Sequence, residues 1–312
     1  MSPSSGTKQL RQSSLGTTPQ SRGRRLDAHR AQTVGGAPQP AVGGFHPVEW
    51  GAEFIGTLFQ LCLGFMAVAV LSVRTSPVQI APLTPRLLAI GAIFGLLAAV
   101  VATSPVGKRS GAHLNPAVTL GFFLRGHVHR HDVLGYMVAQ VLGALAAAAI
   151  FTVALGGWAS HVHYGVTQPG PQISAPAAIG IETGLTGCLL FVIFNLLSSR
   201  RTARWTPAVV VALLALLILA GAPYTGASMN PARSLGPATV SDNWNLLWVY
   251  FIGPPLGAIV AATAFRMLLL KRRTLTAKLF HDERYVSTLR TELPAQPASS
   301  RIERLTRRPA VR

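Results

Sequence analysis

The chain of 312 residues is 49% hydrophobic, only 12% charged, and carries a net charge of +18. Soluble domains carry about 25% charged residues, so the deficit marks a membrane protein. The basic excess lies mostly in the two tails and one set of loops; that is a mark of membrane topology and excludes nucleic acid as the partner.

Residues 1–46 are rich in Ser, Gly, Pro, Gln and Arg. They cannot bury a core and are expected to form a disordered basic tail, resting on anionic headgroups or simply solvated. No apolar run follows the first basic residues closely enough to make a signal peptide. Six apolar stretches come next, at about 50–73, 87–104, 133–155, 177–197, 206–222 and 246–270. Each is near the roughly 20 residues that a spanning helix needs, the second and fifth being short. Cys62 and Cys188 sit inside such stretches, make neither a disulfide framework nor a metal site, and read as small buried apolar residues.

Loop charge sets the orientation. Lys108, Arg109, Arg125 and Arg130 precede the third stretch, Arg200, Arg201 and Arg204 precede the fifth, and Lys271, Arg272 and Arg273 open the C-terminal tail. Residues 156–176 carry no charged side chain, and the last long loop holds only Arg233 and Asp242. The positive-inside rule therefore puts both termini in the cytoplasm. Arg74 and Arg86, flanking a loop that should be outside, are the exception.

After the second and the fifth stretch the chain repeats itself. Ser110-Gly111-Ala112-His113-Leu114-Asn115-Pro116-Ala117 is echoed by Thr225-Gly226-Ala227-Ser228-Met229-Asn230-Pro231-Ala232. Asn is a good helix N-cap and Pro suits the first helical position, so each copy starts a helix. The run from Pro116 to Leu124 would be only about 13 Å long at the helical rise. It cannot cross a hydrocarbon core of about 30 Å, but two half-helices entering from opposite faces cross it together. Three spans and one half-helix thus occur twice, and the odd span count inverts the second copy. Glu53 and Glu182 lie early in the first and fourth spans, where an ionisable group is costly. They form either a proton relay or a brace for the N–H groups of the loops. One acid per repeat, with no chain of further acids, favours the brace. Gly91 and Gly95, Gly143 and Ala147, Gly180 and Gly184, and Gly253 and Gly257 are spaced for close helix crossings.

Two further patterns are Tyr136-x-x-Ala139-Gln140-x-x-Gly143-Ala144 and Gly253-Pro254-x-x-Gly257-Ala258. With the paired Asn-Pro-Ala boxes they make residues 48–270 resemble the aquaporin, or major intrinsic protein, family. The stretch from Gly226 to Pro237 also resembles plant nodulin-like intrinsic proteins, which admit small neutral solutes. The resemblance implies an all-α membrane protein of six transmembrane helices plus two re-entrant half-helices in an inverted repeat. The channel domain is 47–271, with repeats 47–156 and 175–271. It is followed by a basic cytoplasmic C-terminal tail, 272–312. The implied function is a passive channel in the cell membrane that conducts water, and small neutral solutes, while excluding protons and ions. A homotetramer is implied, with no enzyme activity, cofactor or metal.

In that reading Asn115, Pro116 and Ala117 meet Asn230, Pro231 and Ala232 at the pore centre. The Asn amides donate to a passing water, and each half-helix N-terminus adds about half a positive charge. A water that accepts two bonds cannot readily accept from its neighbours in the file as well, so proton hopping stops. The plainer alternative makes the two Asn residues caps only. Arg233 belongs to the outer selectivity filter, unless it is a structural ion-pair partner of Asp242. Ala227 and Ile218 join it, Ile218 standing where strict water channels commonly have His. The second-span member is Phe94, or Gly95 if the segment to Asn115 carries no extra residue. His113 places a carbonyl in the pore and pairs its side chain with a bracing glutamate, or is a packed loop histidine.

A filter of Phe94, Ile218, Ala227 and Arg233 has few polar partners and suits a glycerol or other neutral-solute facilitator. Ser234, Ala238 and Tyr250-Phe251 depart from dedicated glycerol facilitators. A coupled secondary transporter would need a titratable midplane site beyond Glu53 and Glu182. A membrane scaffold would need neither Arg233 nor the paired Asn. Since Ala227 stands where some water channels carry a blocking cysteine, mercurials should leave permeability largely unchanged in a stopped-flow assay. Strong inhibition abolished by Cys188→Ser would contradict the placement of that residue away from the pore.

Overall fold

The computed structural model describes residues 44–269, 272–282, 284–285, 287–289 and 291, with the backbone of one two-residue antiparallel pair, Thr33–Val34 and Ala37–Pro38. That pair aside, the tail expected to be disordered lies outside the described residues as far as residue 43.

The longer helices are α1 (Pro47–Ser72), α2 (Leu83–Thr103), α3 (Pro116–Leu124), α4 (Arg130–Leu155), α5 (Ala175–Leu196), α6 (Thr206–Thr225), α7 (Pro231–Ser241) and α8 (Val249–Leu268). Six of them, all but α3 and α7, are long and apolar enough to cross a membrane. Proline in the first turn starts α1, α3, α5, α6 and α7, where its missing N–H has no intrahelical partner to lose. The last span begins at Val249 rather than at 246 because Leu246 is left-handed, with φ +52°. One-turn helices at Pro105–Ser110, Gly157–His161 and Arg200–Ala203 fill the connections.

Packing follows the repeat. α1 lies on α4 and, in the second copy, α5 lies on α8. α2 packs on α6, its own counterpart. The half-helices cross over: α3 packs on α8 and α7 on α4. Glycines set the closest approaches. A Cβ at Gly143 would fall 2.7 Å from Phe54 O, and one at Gly257 would fall 2.6 Å from Thr183 O. These are matched positions of the two repeats. Gly91 and Gly95 likewise abut the α6 backbone at Ala215 and Val211. Gly180 and Gly184 do not follow the expectation, since nothing lies within 4 Å of a Cβ at either.

Large apolar side chains such as Leu134, Leu142, Val153 and Leu216 point outwards from the spans. Such exposure is costly in water and suits lipid. Phe65, Phe122, Tyr136, Phe151, Phe194, Tyr250 and Phe265 fill the interior. Cys62 is buried as expected, but Cys188 is exposed, because it falls on the outward face of α5. At the face where α1 begins, His46 Nδ1 (2.7 Å) and Trp50 Nε1 (3.0 Å) both meet Asp132 Oδ1, tying the start of α1 to the start of α4.

The C-terminal tail is partly folded. The described part of 272–291 folds back on the body, with Leu275 N–H donating to Leu197 O (2.9 Å) and Leu279 N–H to Gly111 O (3.1 Å). Ala277, Leu279 and Leu289 are buried. The basic composition of the tail masks these apolar positions.

Candidate functional site

The two repeated loops meet in the interior. Asn115 and Asn230 each cap their half-helix: Oδ1 of Asn115 accepts from Ala117 N–H (2.8 Å), and Oδ1 of Asn230 accepts from Ala232 N–H (3.0 Å) and Arg233 N–H (3.3 Å). Each amide nitrogen then reaches the opposite loop. Asn115 Nδ2 donates to Met229 O (2.8 Å), and Asn230 Nδ2 donates to Leu114 O (3.0 Å). A carboxamide has two N–H donors, so one per residue stays available to the cavity that both side chains line. Pro116, Ala117, Pro231 and Ala232 are buried in the first turns behind them.

The loop backbones are strained in the same way. Ala112 and Leu114 in one, Ala227 and Met229 in the other, have φ between 47° and 57°. A left-handed non-glycine residue costs about 1–3 kcal/mol and persists only when its surroundings hold it. Two buried carboxylates supply the hold. Glu53 accepts from His113 N–H (3.0 Å) and Leu114 N–H (2.7 Å). Glu182 accepts from Ser228 N–H (2.9 Å) and Met229 N–H (2.7 Å). Neighbours complete each carboxylate: Gln140 Nε2 donates to Glu53 (2.8 Å), and Thr225 Oγ1 donates to Glu182 (2.7 Å). Two buried tyrosines anchor the loop starts, Tyr136 Oη on Ser110 O and Tyr250 Oη on Thr225 O, both at 2.7 Å. His113 uses its backbone N–H, not its ring, toward Glu53. Its Nδ1 lies 3.2 Å from Thr119 Oγ1 and its Nε2 lies 2.9 Å from Ala277 O.

One cavity of about 230 Å³ runs past both Asn residues and is also lined by Phe94, Ile218, Ala227 and Arg233. Gly95 is not in its wall; it abuts the Val211 backbone instead. Arg233 Nη1 donates to Gly165 O (2.6 Å), and its guanidinium lies 5.3 Å from the Phe65 ring centroid. Asp242 is engaged by Trp244 Nε1 (2.7 Å), and none of the ion pairs among the described residues includes Arg233.

Sequence reasoning passed over Gln60. Its Nε2 donates to Phe94 O (3.3 Å), and the side chain lines the cavity. Only the amide nitrogen can serve a carbonyl, so that bond leaves the Oε1 lone pairs of this cavity-lining residue uncommitted. The corresponding residue in the second repeat is Leu189, which also lines the cavity. A signal existed: Glu49, Glu53, Thr57 and Gln60 form a buried polar stripe along one side of α1.

Comparison with known proteins decides the family. The model of the major intrinsic protein family matches residues 48–265. This chain belongs to that family. Among similar major intrinsic proteins, Aquaporin Z of Rhodopseudomonas palustris is 35% identical over 228 residues, 70% of this chain and 91% of that protein. Glycerol uptake facilitator protein-like 6 of Lactiplantibacillus plantarum is 37% identical over 223 residues, 70% and 96% respectively. Aquaporin NIP1-1 of Zea mays is 35% identical over 219 residues, 70% and 73%. The fold matches that of the aquaglyceroporin from Plasmodium falciparum, with a TM-score of 0.61 at 24% identity, covering 72% of this chain and 96% of that one.

In this major intrinsic protein Glu182→Gln turns one acceptor into a donor facing a loop N–H. An unsatisfied buried donor costs about 1–3 kcal/mol. The thermal unfolding midpoint in detergent should drop and water permeability should fall with it. An unchanged midpoint and flux would contradict the structural weight given to that carboxylate.

Proposed function

We propose that the chain is a passive channel of the cell membrane for water and small neutral solutes, closed to protons and ions. The observation that carries it is the reciprocal crossing of Asn115 and Asn230 onto Met229 O and Leu114 O in the wall of a cavity. It leaves one oriented donor from each repeat at the same place. A passing water that accepts both cannot readily accept from its file neighbours as well, and the half-helix N-termini repel cations there. Glu53 and Glu182 brace the two loops, and His113 serves through its backbone.

Phe94, Ile218, Ala227 and Arg233 are the proposed outer filter. Phe94, Ile218 and Ala227 offer no polar side chain, which supports passage of solutes larger than water. Gln60 adds an acceptor for a solute hydroxyl opposite the apolar Leu189. The resemblance to both aquaporins and a glycerol uptake facilitator-like protein supports the same breadth. Against a coupled transporter, Glu53 and Glu182 are both committed to backbone N–H groups, which leaves neither free to carry a proton or ion. Basic residues concentrate at Lys108, Arg109, Arg125, Arg130, Arg200, Arg201 and Arg204, in the connections on the side where α1 begins and α8 ends. That supports cytoplasmic termini. Assembly as a homotetramer is part of this proposal, and family membership supports it.

Proteoliposomes test the reading by stopped-flow light scattering with an impermeant osmolyte and with glycerol. Water and glycerol flux above empty liposomes is expected. Gln60→Leu should lower glycerol permeability by about fivefold, the worth of one neutral hydrogen bond of about 1 kcal/mol, and change water permeability less. An unchanged ratio would remove Gln60 from selectivity; flux at the empty level for both would overturn the reading.

A further inference from the structure

The segment after α8 folds back across the two repeats and reaches the cavity. It is tied first to repeat two, through Leu275 N–H on Leu197 O (2.9 Å), and then to repeat one, through Leu279 N–H on Gly111 O (3.1 Å). Between these ties, His113 Nε2 meets Ala277 O at 2.9 Å. The same histidine lines the cavity, and so does the Leu279 side chain. Leu279 is therefore a wall residue of the proposed pore contributed from outside both repeats.

The strap is built to stay in place. Thr274, Thr276, Ala277 and Lys278 are each no more than 2% exposed. Thr276 bridges to Thr291 in antiparallel fashion, and Leu289 is buried against Gly111. Lys108 Nζ, on the turn that leads to the first loop, pairs with Asp282 Oδ2 at 3.0 Å. The same ammonium sits 5.5 Å from the Phe280 ring centroid and 5.4 Å from that of Tyr285. The hydrogen bond from Arg284 first, and Lys108 besides, hold the Asp282 carboxyl well below the usual carboxylate range. Lys278 is pulled down to about 8 by burial, and its Nζ donates to Tyr285 O at 2.6 Å.

We propose that the described residues of 272–291 form an autoinhibitory strap that partly closes the cytoplasmic mouth of the channel and lowers its flux without abolishing it, with Leu279 as the plug. The inference rests on the channel reading above. Its physical basis is an apolar side chain in the cavity wall, since an apolar constriction gates by excluding water. The ties run from Leu197 to Gly111, from one repeat to the other, and the pathway of an inverted-repeat protein lies between the repeats. The hold is made of separable parts. The Lys108–Asp282 pair is partly exposed, and a pair of that kind shifts an equilibrium by no more than about fivefold.

Full-length protein, Leu279→Ala and Asp282→Asn are compared in proteoliposomes by stopped-flow light scattering, with the amount of incorporated channel measured. Both variants should raise water permeability per channel, Asp282→Asn by up to about fivefold. The glycerol-to-water ratio should stay at the full-length value, because Phe94, Ile218, Ala227, Arg233 and Gln60 are untouched. A purely structural strap would lower the unfolding midpoint without raising permeability, and that result overturns the proposal. A changed ratio in Leu279→Ala, with Asp282→Asn unchanged, also overturns it and makes Leu279 a size filter. Equal flux in all three proteins overturns the strap alone; no flux of water or glycerol in any of them overturns the channel reading as well.

Discussion

Two carboxylates without exposed surface, Glu53 and Glu182, carry the architecture of the interior. Non-helical backbone at membrane depth is tolerated only where protein satisfies its polar groups or where it lines a wet cavity. The loops before α3 and α7 meet both conditions at once. Their N–H groups go to the carboxylates, at His113 and Leu114 and at Ser228 and Met229. The left-handed residues between these bonds are held against their strain. Remove the carboxylates and the Asn residues lose the fixed geometry that lets each amide cross to the other loop.

The repeat makes this arrangement twice, and the departures from symmetry lie where chemistry has to be one-sided. Gly143 and Gly257, Tyr136 and Tyr250, Asn115 and Asn230 do the same work in both copies. Gln60 faces the cavity where the other copy has Leu189. Arg233 stands beside one Asn-Pro-Ala and Val118 beside the other. In the proposed channel, a donor, an acceptor and apolar surface along one cavity suit a neutral molecule with hydroxyls. The strap then adds a feature from outside the repeat, on one face only.

The spans were legible in the sequence because hydropathy over some 20 residues is a local property, as is the N-cap and proline pairing that starts α3 and α7. Their ends shifted by a few residues where local geometry intervened, as at Leu246. Contacts far apart in sequence were not legible. The His113 ring bonds to Ala277, 164 residues away, and no spacing rule gives that. Gln60 was visible but uncharged, so the weight placed on ionisable residues passed over it. The strap was hidden because average charge described the tail, and the few apolar residues that fold it back did not alter the average. Spacing alone also misjudged Gly180 and Gly184, because a small-residue pattern does not say whether a neighbour is there.

The central claim is that the Asn115–Asn230 meeting point passes neutral molecules while breaking the path of protons. The most direct test loads proteoliposomes with a pH-sensitive dye and reads water flux and proton flux in the same vesicles, under an osmotic gradient and then under a pH gradient with a potassium ionophore present. The account predicts water permeability well above that of empty liposomes, with a proton leak no greater than theirs. Proton flux that rises together with water flux as channel is added would contradict it.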